Sequence, residues 1–161
     1  MQLQRDVIPA LKQNQIGLVL VGIGSVESGR TFCEQTGFDI DKLFVDDSTE
    51  TKAYQSIGTR NSQRESSNKN NKQIFEGIGS MWSQATNDAI KDRGRDDLNS
   101  VTGNLFNPGP YKPLMPSSIE ATLVQGASFV FEGRKTVLEH YDESSGAHLS
   151  IDDLLDAALS K

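Results

Sequence analysis

The sequence predicts an α/β protein, and three features of its 161 residues indicate this class. An uninterrupted apolar segment, residues 17–23, has the character of a strand covered on both faces, as in a parallel sheet. Helical periodicity precedes and follows this segment, and a second short apolar strand comes after the next helix. Helices that alternate with strands through short connections favour a right-handed parallel sheet, so we expect one domain over residues 1–161.

The first helix is predicted over residues 1–14. Leu3, Val7 and Leu11 recur every four residues, which places their side chains on one helical face. Pro9 has no backbone donor, so we expect a kink or a break in the helix at that point.

A strand and a capped helix follow. The apolar residues 17–23 supply the strand, and Ser25 comes directly before the next helix, where a serine hydroxyl can accept from a backbone N–H. This helix is predicted to continue to Thr36 and to end at Gly37, which suits the left-handed conformation that closes many helices.

The second strand and a short helix come next. Leu43–Val45 is an apolar run that ends at two aspartates, and it is predicted to be a second short buried strand. Asp47 and Glu50 have the spacing of a capping box, so a short helix is predicted from there through Ile57, with Gly58 as its stop.

The middle of the chain is a long polar and Pro-rich insertion. Residues 59–73 contain no apolar side chain and cannot offset their chain entropy by burial, so they are predicted to be a disordered loop. Apolar residues return with helical spacing over 74–98, which indicates an amphipathic helix. Residues 99–118 hold four of the five prolines and are predicted to form an irregular connection.

The last third of the chain contains a hairpin and a closing helix. Strands are predicted over 127–131 and 136–141, with the turn over 132–135. Ser150 is the expected N-cap of a final amphipathic helix. Parallel strand–helix units followed by an antiparallel hairpin and a terminal helix have the layout of a thioredoxin-like sandwich.

Composition excludes several classes of function. The formal charge of −6 disfavours a general nucleic-acid binder, which needs clustered basic residues. One cysteine cannot form an internal disulfide and indicates a reducing compartment. The longest apolar run is far shorter than the ~20 residues that span a bilayer, and no secretory signal pattern opens the chain. We therefore expect an intracellular protein that binds neither nucleic acid nor membrane.

A glycine-rich turn follows the first strand and resembles part of a dinucleotide-binding fingerprint. Gly22 and Gly24 lie between a strand and a helix, and Asp46 ends the next strand. The third glycine of the fingerprint is replaced by Glu27, whose carboxylate would repel a pyrophosphate at the helix N-terminus. A tight structural turn is the favoured interpretation, and no cofactor is predicted.

Two sets of side chains could carry other chemistry. Cys33 is a candidate redox thiol, but it lies in the middle of a helix, where a buried cysteine acts as a small hydrophobe. His140, Asp142, Glu143 and His148 cluster in sequence, yet their spacing matches no compact zinc or calcium pattern. We therefore predict no metal site.

Several blocks of the chain carry a resemblance to one family. They are Leu18–Ser25, Thr31–Phe38, Leu43–Asp46, Val124–Phe131 and Tyr141–His148. In order and spacing they resemble the peroxiredoxin-like AhpC/TSA antioxidant family, and in particular its peroxiredoxin-like 2 branch, which includes the prostamide/prostaglandin F synthases. The resemblance covers residues 1–58 and 116–160.

The resemblance implies a thioredoxin-like fold and thiol-based reduction of peroxides or related substrates. In the family the redox cysteine lies in a Cys-x-x-Cys-like turn between the first strand and the first helix, which would fall at or before Met1 here. We therefore expect an N-terminally incomplete thioredoxin-like domain without the catalytic cysteine. Cys33 matches a position in the family's second helix that is not catalytic, so no catalytic residue is transferred.

Three functions stay open at this point. The first is a peroxiredoxin-like thiol oxidoreductase, with thioredoxin or glutathione as its thiol reductant, whose redox turn is missing from the chain, so that this polypeptide is expected to be inactive or feeble. The second is a non-catalytic thioredoxin-fold binding or regulatory module. The third is a one-cysteine redox sensor that uses Cys33. The compartment is expected to be the cytoplasm or a plastid, and the substrate and oligomeric state are not predicted.

Overall fold

A computed structural model describes residues 3–61, 84–92, 114, 121, 123–144 and 147–160. The chain divides into two compact units. The first unit comprises Met1–Asp47, Ser128–His140 and Leu149–Lys161, and the second comprises Ser48–Ala127 and Tyr141–His148. Helices and small sheets are mixed along the chain, which confirms the predicted α/β, thioredoxin-like fold class.

The first unit begins with a helix in two parts. A π-helical turn, Leu3–Val7, leads directly into helix α1, Ile8–Gln13, and Pro9 lies in the first turn of α1. Proline is tolerated there because the N–H that it lacks has no partner within the helix. The change from the π-helical turn to α1 lies within two residues of Pro9, where the sequence predicts a kink or a break. Val7 and Leu11 from this segment are buried.

The parallel pair of strands forms the sheet of the N-terminal half. Strand β1, Leu20–Ile23, pairs with strand β2, Leu43–Asp46, so that Val21 lies opposite Phe44. Helix α2, Val26–Thr36, connects the two strands and contacts β2. A β-carbon at Gly29 of α2 would lie 2.8 Å from Cγ1 of Val45, so the absence of a side chain there allows the close approach.

The prediction that the first strand is covered on both faces is wrong. Val19, Val21 and Phe44 are 63%, 41% and 57% exposed, and they share the face of the sheet opposite to Val45, since side chains alternate along a strand. Only the face against α2 is covered in the part of the chain that the structure describes. An apolar run without alternation therefore does not report how many faces of its sheet are covered.

The ends of α2 agree with the sequence. The Oγ of Ser25 accepts from the backbone N–H of Ser28 at 3.1 Å. Gly37 has a left-handed conformation with φ of 69° and donates its N–H to the Cys33 carbonyl at 2.8 Å. The side chain of Gln4 also donates to the Gly37 carbonyl at 2.7 Å, which ties the π-helical turn to the end of α2.

The last elements of the first unit are most of a hairpin, residues 128–140, and a closing helix. Strands β3, Ala127–Glu132, and β4, Lys135–Tyr141, form a separate two-stranded sheet whose turn contains Gly133 with φ of 60°. The last helix, Ile151–Leu159, starts at Ser150, whose Oγ accepts from the Asp153 N–H at 3.0 Å. This helix contacts both α1 and the π-helical turn. The predicted hairpin and the predicted Ser150 cap are confirmed.

The second unit contains the short helix α3, Lys52–Ser56. The predicted capping box at Asp47 and Glu50 is wrong, because the helix begins one turn later, after Thr51. Thr51 takes a left-handed conformation with φ of 52° and caps nothing with its side chain. The N–H of Lys52 instead donates to the Oγ of Ser48 at 2.8 Å. Gly58 follows the helix with φ of 78°, as predicted for a stop.

The predicted loop 59–73 is described only at its start. There Thr59 and Asn61 are buried, Thr59 donates to the Tyr54 carbonyl at 2.9 Å, and Asn61 forms an antiparallel bridge with Val124. The rest of this loop and the predicted connection 99–118, apart from Leu114, lie outside the described residues.

The predicted helix 74–98 is confirmed over Gln84–Asp92, which we label α4, and its remainder lies outside the described residues. No helix in the described part of the chain has the length and apolar character needed to cross a bilayer.

Candidate functional site

Cys33 lies in the interior of the first unit. It is 8% exposed and Phe38 is also buried, and the rings of Phe32 and Phe38 form a tilted pair whose centroids are 6.1 Å apart. Burial raises the pKa of the Cys33 thiol, and the negative charges of Asp39 and Glu34 raise it further. The thiol is therefore protonated at neutral pH, which is the unreactive form.

The turn after β1 is a structural turn. Gly24 has φ of 147°, a conformation that residues with a side chain rarely adopt, and its N–H donates to the Asp46 carbonyl at 3.1 Å. The first amide of this turn is thus already used within the protein. Asp46 is itself buried at the end of β2. These contacts support the interpretation that the sequence favoured over dinucleotide binding.

The structure brings two of the four residues of the C-terminal cluster into contact. His140 lies in β4, and Asp142 directly follows the end of this strand. Nδ1 of His148 contacts Oδ2 of Asp142 in a short hydrogen bond, and Glu143 is exposed. The described residues contain no group of three or more histidine, cysteine or carboxylate side chains that could hold a metal ion.

The two partners of the short hydrogen bond have opposite exposure. The Asp142 side chain is 3% exposed, whereas the His148 side chain is 59% exposed. A buried carboxylate requires a hydrogen-bonding or charged partner to offset its desolvation, and the imidazole supplies one. The pair therefore holds one ring nitrogen inside the unit and leaves much of the ring in contact with solvent.

Gly126 fixes the position of the carboxylate. This residue directly precedes β3 and Asp142 directly follows β4, and the Asp142 N–H donates to the Gly126 carbonyl at 3.0 Å. A β-carbon at Gly126 would lie 2.6 Å from Oδ2 of Asp142, so only glycine leaves room for the carboxylate in this orientation. The carboxylate thus occupies the space of the missing side chain.

The loop between the two partners is held by further hydrogen bonds. Nη1 of Arg60 donates to the Glu143 carbonyl at 3.4 Å, and the Ala147 N–H donates to the Ser144 carbonyl at 3.1 Å. Ser144 is buried, and the N–H of the buried Gln125 donates to the Arg60 carbonyl at 2.8 Å. These backbone and side-chain hydrogen bonds hold the chain at Glu143 and Ser144.

Comparison with models of protein families identifies the family of this chain. The family model for the AhpC/TSA antioxidant enzyme matches residues 2–144. The chain belongs to the AhpC/TSA antioxidant enzyme family. Comparison with curated proteins and with solved structures gave no match. The family assignment agrees with the resemblance identified in the sequence and with the thioredoxin-like fold class.

Sequence reasoning considered Asp142 and His148 only as metal ligands and did not predict that they pair with each other. A signal was present, because the two residues flank a short segment rich in serine and glycine that can return the chain on itself. No feature of the sequence indicated that Gly126 makes room for a carboxylate, because Asp142 lies 16 positions away in the sequence.

Proposed function

We propose that this chain acts in thiol-dependent reduction of peroxides or related substrates, as a member of the peroxiredoxin-like 2 branch that includes the prostamide/prostaglandin F synthases. The family match over residues 2–144 carries the proposal. The sequence blocks Leu18–Ser25, Thr31–Phe38 and Tyr141–His148 support the finer assignment to the branch.

The chemistry of such a reaction requires a reactive thiol. A thiolate sulfur attacks one peroxide oxygen, the O–O bond breaks, and a sulfenic acid forms, which a second thiol converts to a disulfide with loss of water. The 161 residues contain one cysteine and no Cys-x-x-Cys turn. Burial raises the pKa of Cys33, so this thiol does not supply the thiolate, and we propose thioredoxin or glutathione as the thiol reductant of the reaction.

The test is peroxide consumption by the purified chain. Hydrogen peroxide loss is followed with glutathione, and separately with thioredoxin and its reductase, against the same mixtures without the chain. We expect the chain to accelerate peroxide loss with at least one donor, and Cys33→Ser to keep that acceleration, because the buried thiol takes no part. Rates that equal those of the donors alone would overturn the proposal.

The burial of Cys33 favours a second candidate, a non-catalytic thioredoxin-fold binding or regulatory module. Such a module would show no acceleration in the peroxide assay. A redox sensor that uses Cys33 receives less support, since a sensor thiol needs exposure and a lowered pKa, and this thiol has neither.

A further inference from the structure

The tip of the β3–β4 hairpin, residues 131–137, is exposed to solvent at every position. It contains two large apolar side chains, Phe131 at 62% exposure and Val137 at 41%. The ring of Phe131 stacks on that of Phe129, with the centroids 5.9 Å apart and an interplanar angle of 15°. An exposed side chain that a neighbour already holds in place loses little entropy when a partner covers it.

The two apolar side chains lie on opposite faces of the hairpin. β3 ends at Glu132 and β4 begins at Lys135, so the turn has two residues and these two ends lie opposite each other. Phe131 is therefore opposite Thr136 and shares its face, and Val137, one position farther along β4, points to the other face. A flat protein surface covers only one face of a hairpin, whereas a lipid interface that the tip enters surrounds both faces.

The hairpin tip is basic, although the whole protein is acidic. Its charged residues are Arg134, Lys135 and Glu132, which give a formal charge of +1, whereas the whole chain carries −6. Neither Arg134 nor Lys135 forms a salt bridge with another residue that the structure describes. Because 0.1 M salt screens exposed charges more than about 10 Å apart, an approaching anionic surface interacts with the charge of the tip rather than with that of the whole chain.

We infer that the hairpin tip docks on the surface of an anionic lipid bilayer. In this arrangement Phe131 and Val137 enter the boundary between the headgroups and the acyl chains, and Arg134 and Lys135 lie at the level of the lipid phosphates. The sequence predicts no membrane binding because its longest apolar run is too short to span a bilayer, but docking on the surface requires no such run. The inference is independent of the proposed thiol chemistry.

Two apolar side chains and two cations give weak and reversible binding. A single acyl chain associates with a bilayer with a constant of only about 10⁴ M⁻¹, and the hairpin tip has less apolar surface than such a chain. Vesicles are therefore required at about millimolar lipid. Each basic residue close to an anionic surface strengthens binding by about fivefold, and this contribution falls as the ionic strength rises.

The test is cosedimentation of the full chain with vesicles of zwitterionic phosphatidylcholine, either alone or mixed with anionic phosphatidylglycerol. Phe131→Ser removes an apolar side chain from the tip, and the double variant Arg134→Gln, Lys135→Gln removes both cations. Phe44→Ser is the matched control, because Phe44 is 57% exposed and lies in the other two-stranded sheet. Thermal unfolding of each variant checks that it folds. The double variant changes only exposed residues, so it keeps the test decisive if Phe131→Ser does not fold.

We expect the wild-type chain to bind the anionic vesicles more tightly than the zwitterionic ones. Phe131→Ser and the double variant should each weaken this binding by about tenfold or more, and Phe44→Ser should leave it nearly unchanged. Raising the salt concentration to about 0.5 M should release most of the bound protein.

Three outcomes would overturn the inference. The first is that the wild-type chain does not bind, or binds both kinds of vesicle equally. The second is that Phe44→Ser weakens binding as much as Phe131→Ser, which indicates general adhesion of apolar side chains. The third is self-association without vesicles that Phe131→Ser abolishes, measured by sedimentation velocity, because the tip would then form a contact between two copies of the chain.

Discussion

Substitution of Gly126 by alanine tests the packing of the buried carboxylate. The new β-carbon would lie 2.6 Å from Oδ2 and 3.4 Å from Cγ of Asp142, whereas unstrained carbon contacts lie at about 3.5–4.0 Å. The Asp142 side chain, 3% exposed, has little room to retreat. Either the contact is strained, or the carboxylate rotates and loses its hydrogen bond to His148.

The expected cost follows from these two routes. Overpacking of a tight site costs about 1–3 kcal/mol, and loss of a hydrogen bond to a charged group costs about 1.5–3 kcal/mol. The variant adopts whichever of these two conformations has the lower free energy, so we expect Gly126→Ala to lower the free energy of unfolding by about 1–3 kcal/mol. Gly126 does not have a positive φ, so the backbone itself accepts alanine.

The assay is urea denaturation of a double-mutant cycle. Gly126→Ala is compared in the wild-type chain and in Asp142→Ala, where the clashing carboxylate is gone, and a coupling energy is calculated. Gly17→Ala is the control, because no atom lies within 4 Å of a β-carbon there. We expect the cost of Gly126→Ala to vanish in the Asp142→Ala background. An equal cost in both backgrounds would refute the proposed contact.

Three further predictions concern other parts of the fold. The new β-carbon of Gly29→Ala would lie 2.8 Å from Cγ1 of Val45, which should lower the free energy of unfolding by about 1–3 kcal/mol, partly offset by the higher helix propensity of alanine. The second substitution Val45→Ala should restore stability. Urea denaturation that shows no such rescue contradicts the contact. Ser150→Ala should cost about 1 kcal/mol by removing the cap on the Asp153 N–H, and an unchanged unfolding free energy would show that the cap contributes nothing. Because burial raises the pKa of Cys33, alkylation of this thiol should be slow and should reach half its maximal rate above pH ~8.5. The urea-unfolded chain is the control. Rapid labelling of the folded chain at neutral pH would instead support a redox-sensor role for Cys33.

The elements that sequence reasoning predicted correctly depend on neighbouring residues. The cap of Ser25 on Ser28, the left-handed Gly37 and the cap of Ser150 each join residues at most four positions apart. Capping and helix termination are properties of a few consecutive residues, so they can be read directly from the chain.

The errors arose where the outcome depends on residues distant in sequence. The apolar character of β1 predicted cover on both faces, but cover is a property of what packs against the strand, and Val21 and Phe44 are exposed. The capping box at Asp47 and Glu50 had acceptable spacing, yet the chain takes a left-handed turn at Thr51 before the helix begins.

The sequence by itself determined the α/β class, the family and the presence of a single cysteine among these 161 residues. Only the tertiary structure decided which side chains meet: burial raises the pKa of Cys33, and the paths of β3 and β4 bring Asp142 beside Gly126, with His148 against it. The physical reason is that the reactivity of a thiol, a carboxylate or an imidazole depends on desolvation and on hydrogen-bonding partners. Those are set by packing between distant parts of the chain.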